Sequence, residues 1–380
     1  MAKLRLKKYT DFIVAEAEKL LAIDSPSGYT EAAAQWVMAE FAKLGFEPKQ
    51  TIKGGVLVKL SNVSKDAEKA AREALRASQR DSDCNAEECA KPGIAQMPGG
   101  LLLEAHCDTL GAMVSEVRDG GRLSVTPLGG MNANNAEAEN VRVVTKFGGV
   151  LDGTCQLKNA STHVNGKYNE IVRKWDEMEI VLDEDIKKKE DAEKLGLGVG
   201  DIICFDPRTR VTKSGYIKSR FLDDKLSVAI LLGYAKYLKE SGAKTSRDVW
   251  AHITVYEEVG HGGSASVPEG VTEALSVDMG CVGQGLACTE RQVSICAKDS
   301  GGPYSYEIVK GLIEAAKKTG ADYAVDIYPF YGSDVEATLR AGYDLKHGLI
   351  GPGVYASHGY ERSHRDGVES TLRLIIGYTI

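Results

Sequence analysis

Apolar positions recur along this chain with two different periods, and the switch between them divides it. Near the start, YTDFIVAEAEKLLAI (residues 9–23) carries apolar residues three and four apart until SPSGYT breaks the run, which predicts an amphipathic helix. A second helix is predicted from Glu31 to Leu44, stopped by Gly45. GGVLVKL, from Gly54 to Leu60, predicts a strand. Residues 64–95 are polar and rich in Ala, Glu and Arg, and read as a surface excursion with one helical piece, DAEKAAREALRASQ. GLLLEAHCD, residues 100–108, is almost continuously apolar, as expected of a strand buried on both faces of a parallel sheet.

From Leu110 to Tyr216 the period falls to two. Short alternating runs, GAMVSEVRDGGRLSVTPLGG, NVRVVTKFGGVLDG, KWDEMEIVLD and GDIICFDPRTRVTKSGYI, are separated by turn signals such as Asp119-Gly120. They predict a small β-rich unit, barrel or sandwich. The charged stretch DEDIKKKEDAEKLG inside it predicts a solvated helix. Helix–strand alternation then resumes with DDKLSVAILLGYAKYLKESG, VWAHITVY, EALSVDMG, YSYEIVKGLIEAAKKTG and a final helix around ESTLRLIIGY. The expected fold class is α/β: one domain made of residues 1–109 and 217–380, interrupted by a β-rich insertion at 110–216.

A length of 380 residues exceeds what one core usually supports, consistent with two domains. A net charge of −7 gives no electrostatic reason to expect nucleic acid or an anionic membrane as partner. No apolar run approaches the roughly 20 residues of a membrane span, and the basic N-terminus lacks the apolar segment of a secretory signal. Eight cysteines without a CxxC pair point to neither a disulfide framework nor a zinc ribbon, and place the protein in the reducing cytosol.

Five motifs can carry chemistry, most of them at the end of an apolar strand. In LLLEAHCD, His106 and Asp108 are two apart and share a face, at the strand end where open α/β sheets place their sites. A carboxylate beside an imidazole commonly orients a metal-binding histidine. In RFLDDKLSV, one of Asp223 and Asp224 can cap the following helix, leaving the other to bind a cation. VYEEVGHGG places Glu257 and Glu258 side by side, so both can enter one site only if the strand has already turned, and the glycines after them permit that. One carboxylate can then bind metal while its neighbour takes a proton from water. SVDMG puts Asp278 at another strand end, and SHGYERSH offers His358 or His364. Mixed imidazole and carboxylate donors suit Zn²⁺, Co²⁺ or Mn²⁺. Their number exceeds the need of one tetrahedral ion and fits two ions about 3.5–4 Å apart. No GxGxxG follows the first strand, which excludes a dinucleotide fingerprint.

The ordered set AHCDTLGAMV, RFLDDKLSVA, VYEEVGHGG, SVDMG and a terminal SHG resembles the M42 family of metallo-aminopeptidases, relatives of the M18, M20 and M28 co-catalytic zinc exopeptidases, over most of the chain. The resemblance implies a three-layer mixed-sheet catalytic domain with a barrel-like insertion that mediates dimerisation, the dimers assembling into hollow dodecamers. It implies two divalent ions, Zn²⁺ first and Co²⁺ or Mn²⁺ as alternatives. His106 and Asp278 would hold one ion, Glu258 and the terminal histidine the other, and Asp223 would bridge them. Glu257 would be the general base and Asp108 would orient His106. Ser333 and Asp334, in YGSDVEAT, resemble a segment near the substrate's amino terminus, and His163, in STHV, a position reaching a neighbouring subunit's site. The implied activity is hydrolysis of the N-terminal peptide bond of peptides; a metal-dependent deacylase, other amidase or dipeptidase is the alternative on the same scaffold. A non-catalytic metal-binding descendant would have lost the base, and Glu257 is present.

The chain departs from the family pattern in three places. The segment between Ser61 and Gly99 is longer. Lys225-Leu226 stands where Arg and a small residue are more usual. The C-terminus has Pro352 and ASHGYERSH in place of a His-Ser-Pro, and the offset from Pro352 and the final helix favours His358 over His364 as ligand.

Overall fold

The apolar runs become paired strands in the computed structural model, which describes residues 5–61 and 99–380. The expected excursion at 64–95 falls outside the described residues. Helices α1 (Lys7–Leu21) and α2 (Glu31–Lys43) lead into β1 (Lys49–Gln50), β2 (Val56–Lys59) and β3 (Gly100–His106). The strands β4 (Gly111–Arg118), β5 (Arg122–Leu128), β6 (Asn140–Val144), β7 (Val150–Leu157), β8 (Met178–Leu182) and β9 (Ile202–Phe205) follow, with the short helix α3 (Lys189–Lys194) before the last. The remainder comprises β10 (Arg210–Val211), β11 (Tyr216–Ser219), α4 (Leu222–Ser241), β12 (Val249–Thr254), β13 (Val271–Val277), β14 (Gly280–Val282), β15 (Val293–Lys298), α5 (Tyr306–Thr319), β16 (Tyr323–Ile327), α6 (Asp334–Arg340), β17 (Lys346–Tyr355), β18 (Glu361–His364) and α7 (Arg365–Thr379).

Twelve strands form one mixed sheet, in the order β1-β2-β12-β3-β13-β17-β18-β11-β10, with β14 and β15 against β17 and β16 against β15. β12, β3, β13 and β17 run parallel, so their carboxyl ends lie together. Along β3, Leu101, Leu103 and Ala105 enter the larger core and Leu102 the smaller one on the opposite face. This alternation is why the run reads as unbroken: both faces are covered. Residues of α1, α4 and α7 line the larger core, while Val335 of α6 closes the smaller one with Tyr304 and Tyr328, giving three layers. Each fully buried aliphatic side chain contributes about 1.5–3 kcal/mol by leaving water. The one acid inside β3, Glu104, is fully buried and faces His252 Nδ1 on β12 at 3.2 Å.

Residues 111–205 supply a closed antiparallel barrel, β4-β5-β8-β7-β6-β9. Its tightest turn, Asp119–Gly121, uses a left-handed Gly120 (φ 68°) to join β4 to β5. The charged stretch contributes α3, exposed on most sides. RTRV and GYI belong instead to the large sheet, because β11 pairs with β18 and β10 with β11. The β-rich texture read up to Tyr216 therefore covers the barrel, which ends at Phe205, and a hairpin of the main sheet.

Candidate metal centre

Sheet geometry brings most of the candidate residues to one place. β3 ends at His106, whose Nδ1–H donates to the backbone carbonyl of Asp108 at 2.9 Å. Nε2 is left with its lone pair directed at Asp223 Oδ1, 3.1 Å away, and Glu257 Oε2, 3.6 Å away. The orienting contact to the ring is thus the Asp108 carbonyl, with the carboxylate farther off at 3.6 Å. That carboxylate is fully buried and organises something else. Its Oδ1 accepts the Glu257 N–H at 3.1 Å, and Oδ2 accepts the Ser27 hydroxyl at 2.5 Å and the Glu258 N–H at 3.4 Å.

Asp223 and Asp224 follow β11 through a left-handed Phe221 (φ 69°), and the peptide between them is cis. Both are buried. Asp224 Oδ2 accepts the His106 N–H at 3.2 Å, and burial holds its carboxyl well above the ordinary value. Lys225, the residue that departs from the family pattern, is fully buried, donates to the Ile23 carbonyl at 2.5 Å, and is brought down to about 8 by burial.

β12 ends at Thr254, two residues before a left-handed Tyr256 (φ 69°), and Glu257–Val259 form a single 3₁₀ turn. The turn removes the strand alternation that would have sent adjacent glutamates to opposite faces. The glycines that follow are needed for close approach. A Cβ on Gly262 would lie 2.2 Å from Asp334 Oδ1, and one on Gly263 2.4 Å from the Asp334 carbonyl oxygen.

Asp278 follows β13, with its Oδ1 accepting the Met279 N–H at 2.5 Å. His358 lies beyond β17, its Nε2 3.5 Å from Asp223 Oδ2 and 3.6 Å from Glu258 Oε2. Two sets of potential ligands result, His106–Asp223–Asp278 and Asp223–Glu258–His358, each with donor atoms within 4.8 Å of one another and with Asp223 common to both. Nitrogen lone pairs facing carboxylate oxygens need a proton or a cation between them. Glu258 Oε1 is buried with no hydrogen-bond partner, as is Asp224 Oδ1. The donor set therefore fits divalent metal, and the mix of imidazole and carboxylate suits Zn²⁺, Co²⁺ or Mn²⁺.

Electrostatics express the same crowding. Burial raises Glu257 well above the ordinary carboxyl value, reinforced by Asp278, Asp334 and Glu258; it raises Glu258, reinforced by Asp223. Asp278 is pushed up to about 7 by burial and Asp223. For His106 burial opposes the charge, but the Asp223 contact and the surrounding carboxylates outweigh it and raise the imidazole well above its usual value. His358 reaches about 10 by the same balance, with Asp223 dominant among the partners. Asp223 is lowered, because contacts with both imidazoles outweigh its own burial.

A cavity of about 480 Å³ opens over this cluster, lined by Asp223, Glu257, Glu258, Asp278 and His358 and continuing past Ser333, Asp334 and Arg340. Asp334 accepts the Gly263 N–H at 2.6 Å and the Thr254 hydroxyl. Ser333 Oγ lies 3.0 Å from the Tyr304 hydroxyl. His163 sits in an exposed turn of the barrel, outside the cavity lining. His364 is also elsewhere. Its Nε2 donates to the Ser214 carbonyl at 2.9 Å and its Nδ1 caps α7 by accepting the Asp366 N–H at 3.0 Å, which occupies both nitrogens. Two residues not among the candidates also belong to the site: Ser27, on the Asp108 carboxylate, and Glu361, whose carboxylate accepts the N–H groups of both Asp223 and His358. Ser27 lies in the very loop read only as a break, and Glu361 between the two histidines of SHGYERSH.

The sequence profile described as M42 glutamyl aminopeptidase matches residues 47–374. YhfE of Bacillus subtilis (strain 168), which carries a provisional aminopeptidase name, is 43% identical over 290 residues, 75% of this chain and 84% of its own. Among solved structures, aminopeptidase APDkam598 from the archaeon Desulfurococcus kamchatkensis has a TM-score of 0.78 at 21% identity, covering 98% of this chain and 94% of its own. The Pyrococcus horikoshii TET1 peptidase, which can assemble into a tetrahedron or a large octahedral shell, has a TM-score of 0.77 at 22% identity over 96% of this chain and 98% of its own. At such identities these structures show a shared fold.

Proposed function

Because the chain belongs to the M42 glutamyl aminopeptidase family and is a peptidase hydrolase of the aminopeptidase class, we propose that it removes N-terminal residues from peptides at a centre holding two divalent ions. The observation that carries this reading is the sharing of Asp223 by two three-residue donor groups. His106 and Asp278 are assigned to one ion, Glu258 and His358 to the other, and Asp223 to both, with Zn²⁺ as first choice and Co²⁺ or Mn²⁺ as alternatives. When bound, such ions act as Lewis acids that acidify water and polarise the scissile carbonyl. Glu257 is assigned the role of general base: it lines the cavity beside the two donor groups without belonging to either, which leaves its carboxylate to take a proton from the attacking water and return it to the departing amine. Asp108 holds the backbone of Glu257 and Glu258 and, through its carbonyl, the His106 ring. Asp334 and Ser333, on the wall of the same cavity, are assigned to the substrate's free amine.

The division into a catalytic domain (1–109 with 217–380) and an insertion (110–216) is proposed in the same spirit, with the barrel as the dimerisation element. His163, exposed on that barrel, is assigned to a neighbouring subunit's site in a homo-oligomer between dimer and dodecamer. No described helix is long and apolar enough to cross a membrane, and the cysteines among the described residues are free; the cytoplasm is the proposed compartment.

The test is a panel of aminoacyl-anilides and short peptides assayed on protein as isolated, after chelation, and with Zn²⁺, Co²⁺ or Mn²⁺ returned, while bound metal is counted per chain. Hydrolysis at free N-termini that disappears with the metal, at close to two ions per chain, is the expected result. Hydrolysis of acylated substrates alone would transfer the assignment to a deacylase, and absence of bound metal would remove the basis of the centre.

A further inference from the structure

His358 adopts a left-handed backbone, φ 60°, although it carries a side chain that disfavours that region. Such a conformation persists when the surroundings over-determine it, and here the surroundings are specific. The His358 N–H donates to Glu361 Oε1 at 3.1 Å, and the His358 carbonyl accepts from Asn135 Nδ2 at 3.1 Å. The ring Nδ1 faces the Gly130 carbonyl at 3.3 Å, which leaves Nε2 for the cavity side. Glu361 is buried, 2% exposed, and its second oxygen, Oε2, accepts the N–H of Asp223 at 3.1 Å. One carboxylate therefore joins the backbones of two residues that come from separate loops. Strand register makes this possible: Glu361 pairs with Ser219 across β18 and β11, and β11 leads directly to Asp223. Asn135 is anchored in turn, because its carbonyl accepts from Arg220, three residues before Asp223.

We propose that Glu361 and Asn135 are positioning residues of the centre. Glu361 sets the separation of Asp223 from His358, and Asn135, carried on the barrel, locks the His358 peptide from its other side. The barrel thereby helps to shape the centre. This inference rests on the reading that Asp223 and His358 hold metal. Glutamine at 361 would keep one acceptor and present an amide donor to the other backbone N–H, so it breaks one arm of the clamp with little change of volume.

The experiment titrates chelator-stripped full-length wild type, Glu361→Gln and Asn135→Ala with Co²⁺. It follows the visible absorption of bound cobalt and measures calorimetric affinities for each ion, alongside circular dichroism, thermal midpoints, kcat and KM. In folded Glu361→Gln the ion assigned to Glu258 and His358 is expected to lose roughly 10- to 100-fold in affinity, with an altered cobalt spectrum and the ion assigned to His106 and Asp278 largely retained. Asn135→Ala should weaken the same ion less, with kcat restored by excess Co²⁺ and KM little changed. Unchanged affinities and spectra in both variants, or a loss of thermal stability alone, would overturn the positioning role while leaving the metal centre standing. If Glu361→Gln does not fold, the half-buried Asn135 decides by the same criteria. A wild-type chain that takes up no Co²⁺ would overturn the underlying reading and this inference with it.

Discussion

Asp334 and Gly263 meet so closely that neither can change freely: the Gly263 N–H donates to Asp334 Oδ1 at 2.6 Å, and a Cβ on Gly263 would stand 2.4 Å from the Asp334 carbonyl oxygen and 2.6 Å from Thr338 Oγ1. One neighbour is backbone, and the other, the buried Thr338 hydroxyl, is held by contacts to Glu104 and to the Gly263 and Asp334 carbonyls, so neither yields easily. Gly263→Ala is expected to cost about 1–3 kcal/mol by overpacking and to lower kcat/KM by moving the loop after Glu258. Urea unfolding and steady-state kinetics check it; an alanine variant of wild-type stability and activity would show that the loop relaxes without cost.

On the proposed assignment, Glu257→Gln separates proton transfer from metal binding. The amide occupies the same turn but cannot accept a proton, so kcat should fall by about 10²–10⁴-fold while the ions counted per chain stay as in wild type. A variant with wild-type kcat would move the base to another group.

Ser27 acts from the loop between α1 and α2, donating at 2.5 Å to the fully buried Asp108 carboxylate. Ser27→Ala leaves that lone pair without its strongest neutral donor. Hydrogen bonds to charged groups of this kind contribute about 1.5–3 kcal/mol, and the loss should appear in chemical denaturation, together with a lower kcat as the Glu257 and Glu258 backbones loosen. Stability within a few tenths of wild type would mean that Asp108 is held by the two N–H groups alone.

Glu336 predicts a pH effect away from the imidazoles. Burial and the neighbouring Asp299 carboxylate raise its carboxyl from 4.5 to about 7. Between those values the unfolded chain has released the proton that the folded chain keeps, so this group's contribution to stability is full below pH 4.5, falls as pH rises, and is lost above 7. Glu336→Gln keeps a donor toward Asp299 and does not ionise. The difference in unfolding free energy between variant and wild type should therefore grow in the variant's favour by about 1–3 kcal/mol from pH 4.5 to 7.5. A pH-independent difference would contradict a raised Glu336 carboxyl.

Much of this organisation is visible in local pattern. The unbroken run before His106 reports a strand covered on both faces, because Leu101 and Leu103 enter one core and Leu102 the other. The change to a period of two after Leu110 reports the barrel, each of whose strands has one face inside. Residues 210–219 carry the same alternation yet join the large sheet. Alternation records one covered face without naming the partner that covers it.

The chemistry divides along the same line. Sequence by itself determined where acids and imidazoles end apolar runs, since strand termination and the need of a buried carboxylate for a partner are local facts written in neighbouring residues. Tertiary structure alone decided which of these groups meet: that both nitrogens of His364 are used by Ser214 and Asp366 while His358 faces Asp223, that the Asp108 carboxylate serves the backbones of Glu257 and Glu258, and that Glu361 joins Asp223 to His358. These contacts depend on strand register and on hydrogen-bond directions across loops far apart in the chain, and neither is encoded in the spacing of any single motif.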